Sequence, residues 1–207
     1  APEVSETVER REAPGDDPLV QVFKTFHMPH TGKISLARVW RGTVKDGMSF
    51  GPHKVGGLAR MMGHEQQKIG EAVAGEVVAL GRMEDVDTGM TLTSSGDSDA
   101  MAWPESPRPV YSMVAEPEKR EDEVKLSSGI GKLIEEDPSI SFTHNNDTNE
   151  NVLWGQGEIH LRVLGDRLKS RYHTAVTMRR PQTPYKETIQ KPIQQHARHK
   201  KQSGGHG

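Results

Sequence analysis

Three stretches of the sequence place together residue types that could hold a nucleotide, a metal or a phosphate. Gly155-Gln156-Gly157 follows an apolar run and precedes an amphipathic one, the setting of a dinucleotide-binding turn. His160 stands where the third glycine belongs, so the stretch reads as a tight turn feeding a helix, with Glu158 placed well against the helix dipole. His30-Thr31-Gly32-Lys33-Ile34 resembles a phosphate loop only in its Gly-Lys pair. That loop needs a glycine where His27 stands and a hydroxyl residue where Ile34 stands, so a hairpin turn is expected instead. The pairs His27/His30 and His196/His199 have three-residue spacing but no evident third ligand, and are read as surface or RNA-facing histidines. There is no cysteine nucleophile and no Gly-x-Ser-x-Gly elbow, and the acidic run 116–123 reads as a solvated helix entry. No catalytic, metal or cofactor residue is therefore assigned. Arg198, His199, Lys200 and Lys201, followed by glycines, are candidate phosphate contacts, the alternative being a solvated basic end.

Charge bears on that choice. Residues 157–207 hold 11 Lys/Arg against 3 Asp/Glu, a balance of +8, whereas residues 1–156 hold 16 against 26, or −10. A basic last quarter suits a polyanion such as RNA, or acidic surfaces within a larger protein. With 32% apolar and 5% aromatic residues, two small cores fit better than one large one. No apolar run approaches the roughly 20 residues of a membrane span, no signal peptide is evident, and the lack of cysteine suits a reducing compartment.

These residues need elements to position them. Residues 1–17 read as a linker or the tail of a preceding domain. From 18 to 93 the pattern is β: 19–26 is apolar and β-prone, 33–40 alternates with period 2, and Asp46-Gly47 marks a hairpin turn. Further short strands are expected at 55–62, 69–73, 76–80 and 90–93, giving a small β-barrel. Residues 94–108 form a Ser/Asp/Pro-rich linker. From 109 to 180 the order is mixed: a strand at 110–115, a helix at 119–136, strands at 140–144 and 151–154, a helix at 158–171 and a strand at 174–178. Leu126, Ile130, Leu133 and Ile134 mark the buried face of the first helix, and Leu161, Leu164 and Leu168 that of the second. Gly129 and Gly131 weaken the first helix and are expected to let it approach a sheet. The order βαββαβ predicts a ferredoxin-like domain. Residues 181–207 contain one more expected strand, 184–189, before a basic, glycine-rich end.

Ordered phrases along 18–207 resemble the elongation factor G family of translational GTPases. Gly32-Lys33-Ile34, Arg38-Val39, Gly42-Thr43, Ala74-Gly75-Glu76 and Thr88-Gly89-Met90-Thr91 are similar to its second domain. Glu136-Asp137-Pro138, the run Gly155 to Leu161 and Asp166-Arg167-Leu168 are similar to its third. Tyr185 to Ile189 and His199 to Gly205 are similar to the entry of its fourth. Met28 before Pro29 and the short loop 51–54 depart from the pattern, which points to an elongation factor G-like paralogue or a ribosomal-protection relative as well as to the translocase. The resemblance implies a β-barrel domain II and a ferredoxin-like domain III. It implies contact with small-subunit ribosomal RNA and protein, and a non-catalytic coupling role in a monomeric, cytoplasmic chain. GTP and Mg would belong to a domain outside this chain. It also places His160 and Arg167 on the domain III face that looks towards the GTPase and the fusidic acid pocket. A stand-alone two-domain RNA-binding protein is the rival reading, although the RNA-recognition strand signature is missing.

Overall fold

The computed structural model describes residues 17–29, 31–63, 65–94 and 101–197 of the 207. Ten short strands come first, then a mixed unit of four strands and two helices. In the first unit β1 (Leu19–Met28), β2 (Gly32–Arg41), β6 (Leu58–Met62), β7 (Glu65–Lys68), β9 (Val77–Gly81) and β10 (Thr91–Thr93) form one antiparallel sheet in the order β10-β1-β2-β9-β6-β7. Two small pairs, β3 (Thr43–Lys45) with β8 (Glu71–Val73) and β4 (Ser49–Phe50) with β5 (His53–Lys54), complete the β-barrel. Its interior is a single apolar cluster that includes Val20, Val22, Val39, Phe50 and Leu80.

Strict alternation along β1 would send Lys24 into that interior beside Val20 and Val22. A register shift between Val22 and Lys24 prevents it: Val22 faces Ala37 and Lys24 faces Leu36. The bulge leaves Phe23 exposed, turns Thr25 inward and aims Lys24 outward. The Asp46-Gly47 turn forms as expected, with Gly47 at φ 78° and the Met48 N–H bonded to the Lys45 carbonyl. The strands it joins do not pair with each other, however; each takes a different partner. Strand β7 was not foreseen, because Glu65-Gln66-Gln67-Lys68 is exposed throughout and carries no apolar alternation.

The second unit has strands β11 (Tyr111–Pro117), β12 (Ser141–Asn145), β13 (Glu150–Gly155) and β14 (Val176–Arg179), with helices α1 (Glu123–Glu136) and α2 (Glu158–Tyr172). The antiparallel order β12-β13-β11-β14 is that of the ferredoxin-like plan. The expected helix at 119–136 begins later, after a 3₁₀ turn at Arg120–Asp122. Its stripe Leu126, Ile130 and Leu133 meets Leu161, Leu164 and Leu168 of α2 over Ala115 and Leu153 of the sheet. The expected strand at 184–189 does not form, and residues 180–197 take no helix or strand. With Tyr185 and Ile189 at 90% and 71% exposure, nothing within the described residues covers that segment's apolar side.

The two helical glycines behave differently. A Cβ at Gly129 would lie 3.0 Å from Leu168 and 3.4 Å from Tyr172, so this glycine lets α1 approach α2 instead of the sheet. At Gly131 a Cβ would meet nothing within 4 Å. Gly131→Ala should therefore stabilise the chain by about 0.5–1 kcal/mol through helix propensity alone. Gly129→Ala should give less or reverse sign, because Leu168 must yield. Paired denaturant titrations check this, and equal gains for the two would contradict the packing argument.

Candidate functional site

Helix α1 ends Glu135-Glu136-Asp137-Pro138, which is electrostatically awkward. Three carboxylates sit where the helix dipole is negative, and its last turn has no basic residue. Cations must come from elsewhere in the fold. Proline fixes where the helix stops, because the residue before it is pushed to extended backbone, and Asp137 has φ −140° and ψ 93°. That turn points the three carboxylates in different directions.

Glu135 meets the tip of the β1–β2 hairpin. Its Oε2 lies 2.8 Å from Lys33 Nζ and accepts from His27 Nε2 at 2.9 Å. Lys33 occupies a core-facing position of β2, with its side chain only 1% exposed. Its ammonium also donates to the Glu84 carbonyl at 2.6 Å and lies 3.5 Å from Asp87, so a buried charge is satisfied from three directions. Glu136 has a side chain 5% exposed and takes both guanidinium nitrogens of Arg171 on α2, at 2.7 and 2.8 Å. It also accepts the His27 backbone N–H at 2.8 Å, while its own carbonyl, an orphan of the helix end, accepts from Lys24 Nζ at 2.6 Å. Arg171 in turn donates to the His27 carbonyl at 2.5 Å. His27 thus uses its ring, its N–H and its C=O on the α/β unit.

Asp137 faces the other way. It accepts from Ser139 N–H at 3.0 Å, from Ser139 Oγ at 2.6 Å and from His160 Nε2 at 3.2 Å. His160 Nδ1 accepts the Gln156 N–H at 3.1 Å, which fixes the tautomer with the proton on Nε2. Gly155 is required here, because a Cβ would come within 2.7 Å of Leu161 and 3.0 Å of the His160 ring. The Gln156 side chain donates to the carbonyls of Pro107 and Arg108 at 3.1 and 3.2 Å, anchoring the linker to the start of α2. At the barrel end Met101 N–H donates to Thr91 Oγ1, and the Trp103 ring covers Gly89.

Of the residues singled out from the sequence, His160 and Arg167 lie seven apart on α2. His160 is tied to the α1 terminus, and Arg167 reaches a cleft of about 570 Å³ between barrel and α/β unit. That cleft is lined by Lys24, Phe26, Met28, Met61, Arg167 and Arg171, among others. Arg198, His199, Lys200 and Lys201 lie outside the described residues. Sequence reasoning missed Glu135 and Arg171 and the roles of Lys33 and Glu136, and it read His27 as a surface or RNA-facing histidine, whereas the His27 side chain is 11% exposed and bonded to Glu135. The acidic helix C-terminus was the available signal, since it demands cations from outside its own helix.

Burial alone would raise each of the three carboxylic acids. Hydrogen bonds from Lys33 and His27 to Glu135, from Arg171 and the His27 amide to Glu136, and from Ser139 and His160 to Asp137 outweigh it, and all three sit below the usual range. A depressed acid contributes stability above its unfolded value, about pH 4. That contribution is lost as pH falls through the folded value. Thermal stability should therefore drop on acidification below about pH 4, with a shallower drop for Glu136→Gln. Parallel curves for the two proteins would remove Glu136 from the account. At neutral pH Glu136→Ala should cost about 3 kcal/mol, because it leaves Arg171 without its carboxylate.

The family comparisons agree with this architecture. The family model "Elongation factor G domain 2" matches residues 18–95, and "Elongation Factor G, domain III" matches residues 106–180. An elongation factor G-like protein of Synechocystis sp. is 45% identical over the whole of this chain and 31% of its own length. Elongation factor G of Ruegeria pomeroyi is 34% identical over 89% of this chain and 27% of its own. A crystal structure from Thermus thermophilus matches 88% of this chain and 28% of its own, with a TM-score of 0.77 and 30% identity. The chain spans about a third of the length of the curated relatives it matches. With both family models matched in order on a barrel and a ferredoxin-like unit, the chain belongs to the elongation factor G family and carries its domains II and III.

Proposed function

We propose that this chain is the ribosome-contacting and interdomain-coupling part of an elongation factor G-like translational GTPase. The observation that carries the reading is the docking of the two domains through the α1 terminus, since a part that transmits movement needs a defined contact between its lobes. Identity of 45% to an elongation factor G-like protein, against 34% to an elongation factor G, supports the elongation factor G-like parent. In this reading GTP hydrolysis and Mg belong to parent sequence beyond these two domains. Domains II and III contact small-subunit RNA and protein, and residues 181–207 lead into domain IV. His160 and Arg167 face the GTPase side, and Arg198, His199, Lys200 and Lys201 approach phosphates. The chain acts as a monomer in the cytoplasm.

Among the described residues no cluster of His, Asp and Glu could hold a metal ion, and no helix is long and apolar enough to cross a membrane. The test is co-sedimentation of the purified chain with small ribosomal subunits at increasing salt, alongside a GTP hydrolysis assay. Salt-sensitive pelleting, competition by a full-length elongation factor G and no turnover above buffer are expected. Equal affinity for free RNA, or clear turnover, would overturn the proposal.

A further inference from the structure

Among the described residues, two sets of contacts join the barrel and the α/β domain. One is the linker, held to the barrel by Met101 and Trp103 and to the start of α2 by Gln156. The other is the carboxylate cluster, which engages Arg171 at the far end of the same helix. The two are linked through one side chain, because Asp137, next to Glu136, is bonded to His160 Nε2, and His160 Nδ1 accepts the Gln156 N–H. Beside the second contact the domains do not close on each other. The cleft there, with Phe26, Met28 and Met61 on the barrel side, leaves apolar surface unpacked. Apolar packing at that end therefore does not fix the angle between the domains, and hydrogen bonds and ion pairs must.

The polar contact is concentrated in few groups. On the barrel side it is made by Lys24, Lys33 and the three polar groups of His27. On the α/β side it is made by Glu135, Glu136 and Arg171. Such bonds are strict in distance and angle, and half-made they leave buried charge unpaired. The contact therefore favours two states, shut or open, over a continuum.

We propose that Glu135 and Glu136 with His27 form a latch that sets the angle between the two domains, and that the domains swing about the docked linker when it opens. What the latch would serve rests on the coupling role proposed above. The geometry itself involves no ribosome.

The sequence has no cysteine, so Lys45→Cys and Ser128→Cys, one exposed site on each domain, give a unique pair for spin labels. Double electron–electron resonance on the labelled chain should show one narrow distance. His27→Ala combined with Glu135→Gln removes the ring contact and the Glu135 charge but keeps the Glu136–Arg171 pair inside the α/β domain. It should broaden or shift that distance while amide spectra of both domain cores stay unchanged. Adding Glu136→Gln should broaden it further. Should that triple variant unfold the α/β domain, the double variant alone decides. An unchanged narrow distance in the double variant, or a broad one in the unmodified chain, overturns the latch. Loss of ribosomal co-sedimentation with the distance result intact would sink the coupling reading alone.

Discussion

The arrangement depends on pairing charges that the fold has taken out of water. Lys33 lies on the core-facing row of a barrel strand and Glu136 at the buried end of a helix, and neither could remain ionised there alone. Each is satisfied by groups from another segment: Lys33 by the 84–87 loop and Glu135, Glu136 by α2 and the His27 amide. Part of the cost of burying these charges is offset across the domains, by Glu135 at Lys33 and by the His27 amide at Glu136, which ties the relative placement of the domains to their electrostatics.

Several local irregularities make sense in that light. The bulge in β1 takes Lys24 out of the barrel interior and brings it to the Glu136 carbonyl. Gly129 lets α2 lie close enough to α1 for Arg171 to grip Glu136 with both nitrogens. Pro138 ends α1 so that Asp137 turns away from its neighbours and holds His160. Each feature weakens a regular element, and each serves a contact beyond it. Gly155-Gln156-Gly157, which has the outline of a nucleotide turn, serves close packing and linker attachment instead.

His160 and Arg167 were named through the family resemblance, and the structure puts them in different surroundings. His160 is a fixed strut between the turn before α2 and the turn after α1. Arg167 stands at the rim of the interdomain cleft. The Gly-Lys pair at 32–33 fails the spacing of a phosphate loop, and its lysine instead makes an ion pair across the domains.

Elements with their own periodicity were legible from the sequence. The stripe from Leu126 to Leu133, the stripe from Leu161 to Leu168, the period-2 run from Lys33 to Trp40 and the Asp46-Gly47 turn all follow from local side-chain spacing, which hydrophobic burial then selects. What spacing along one chain could not supply was partners. Strand β7 exists because Ala59 to Met62 offers it a ladder, not because of its own residues. Residues 184–189 have strand-like composition, but no edge within the described residues accepts them. The Glu135–Glu136 cluster joins residues more than a hundred positions apart, and only packing two independently patterned domains against each other brings those charges within bonding distance.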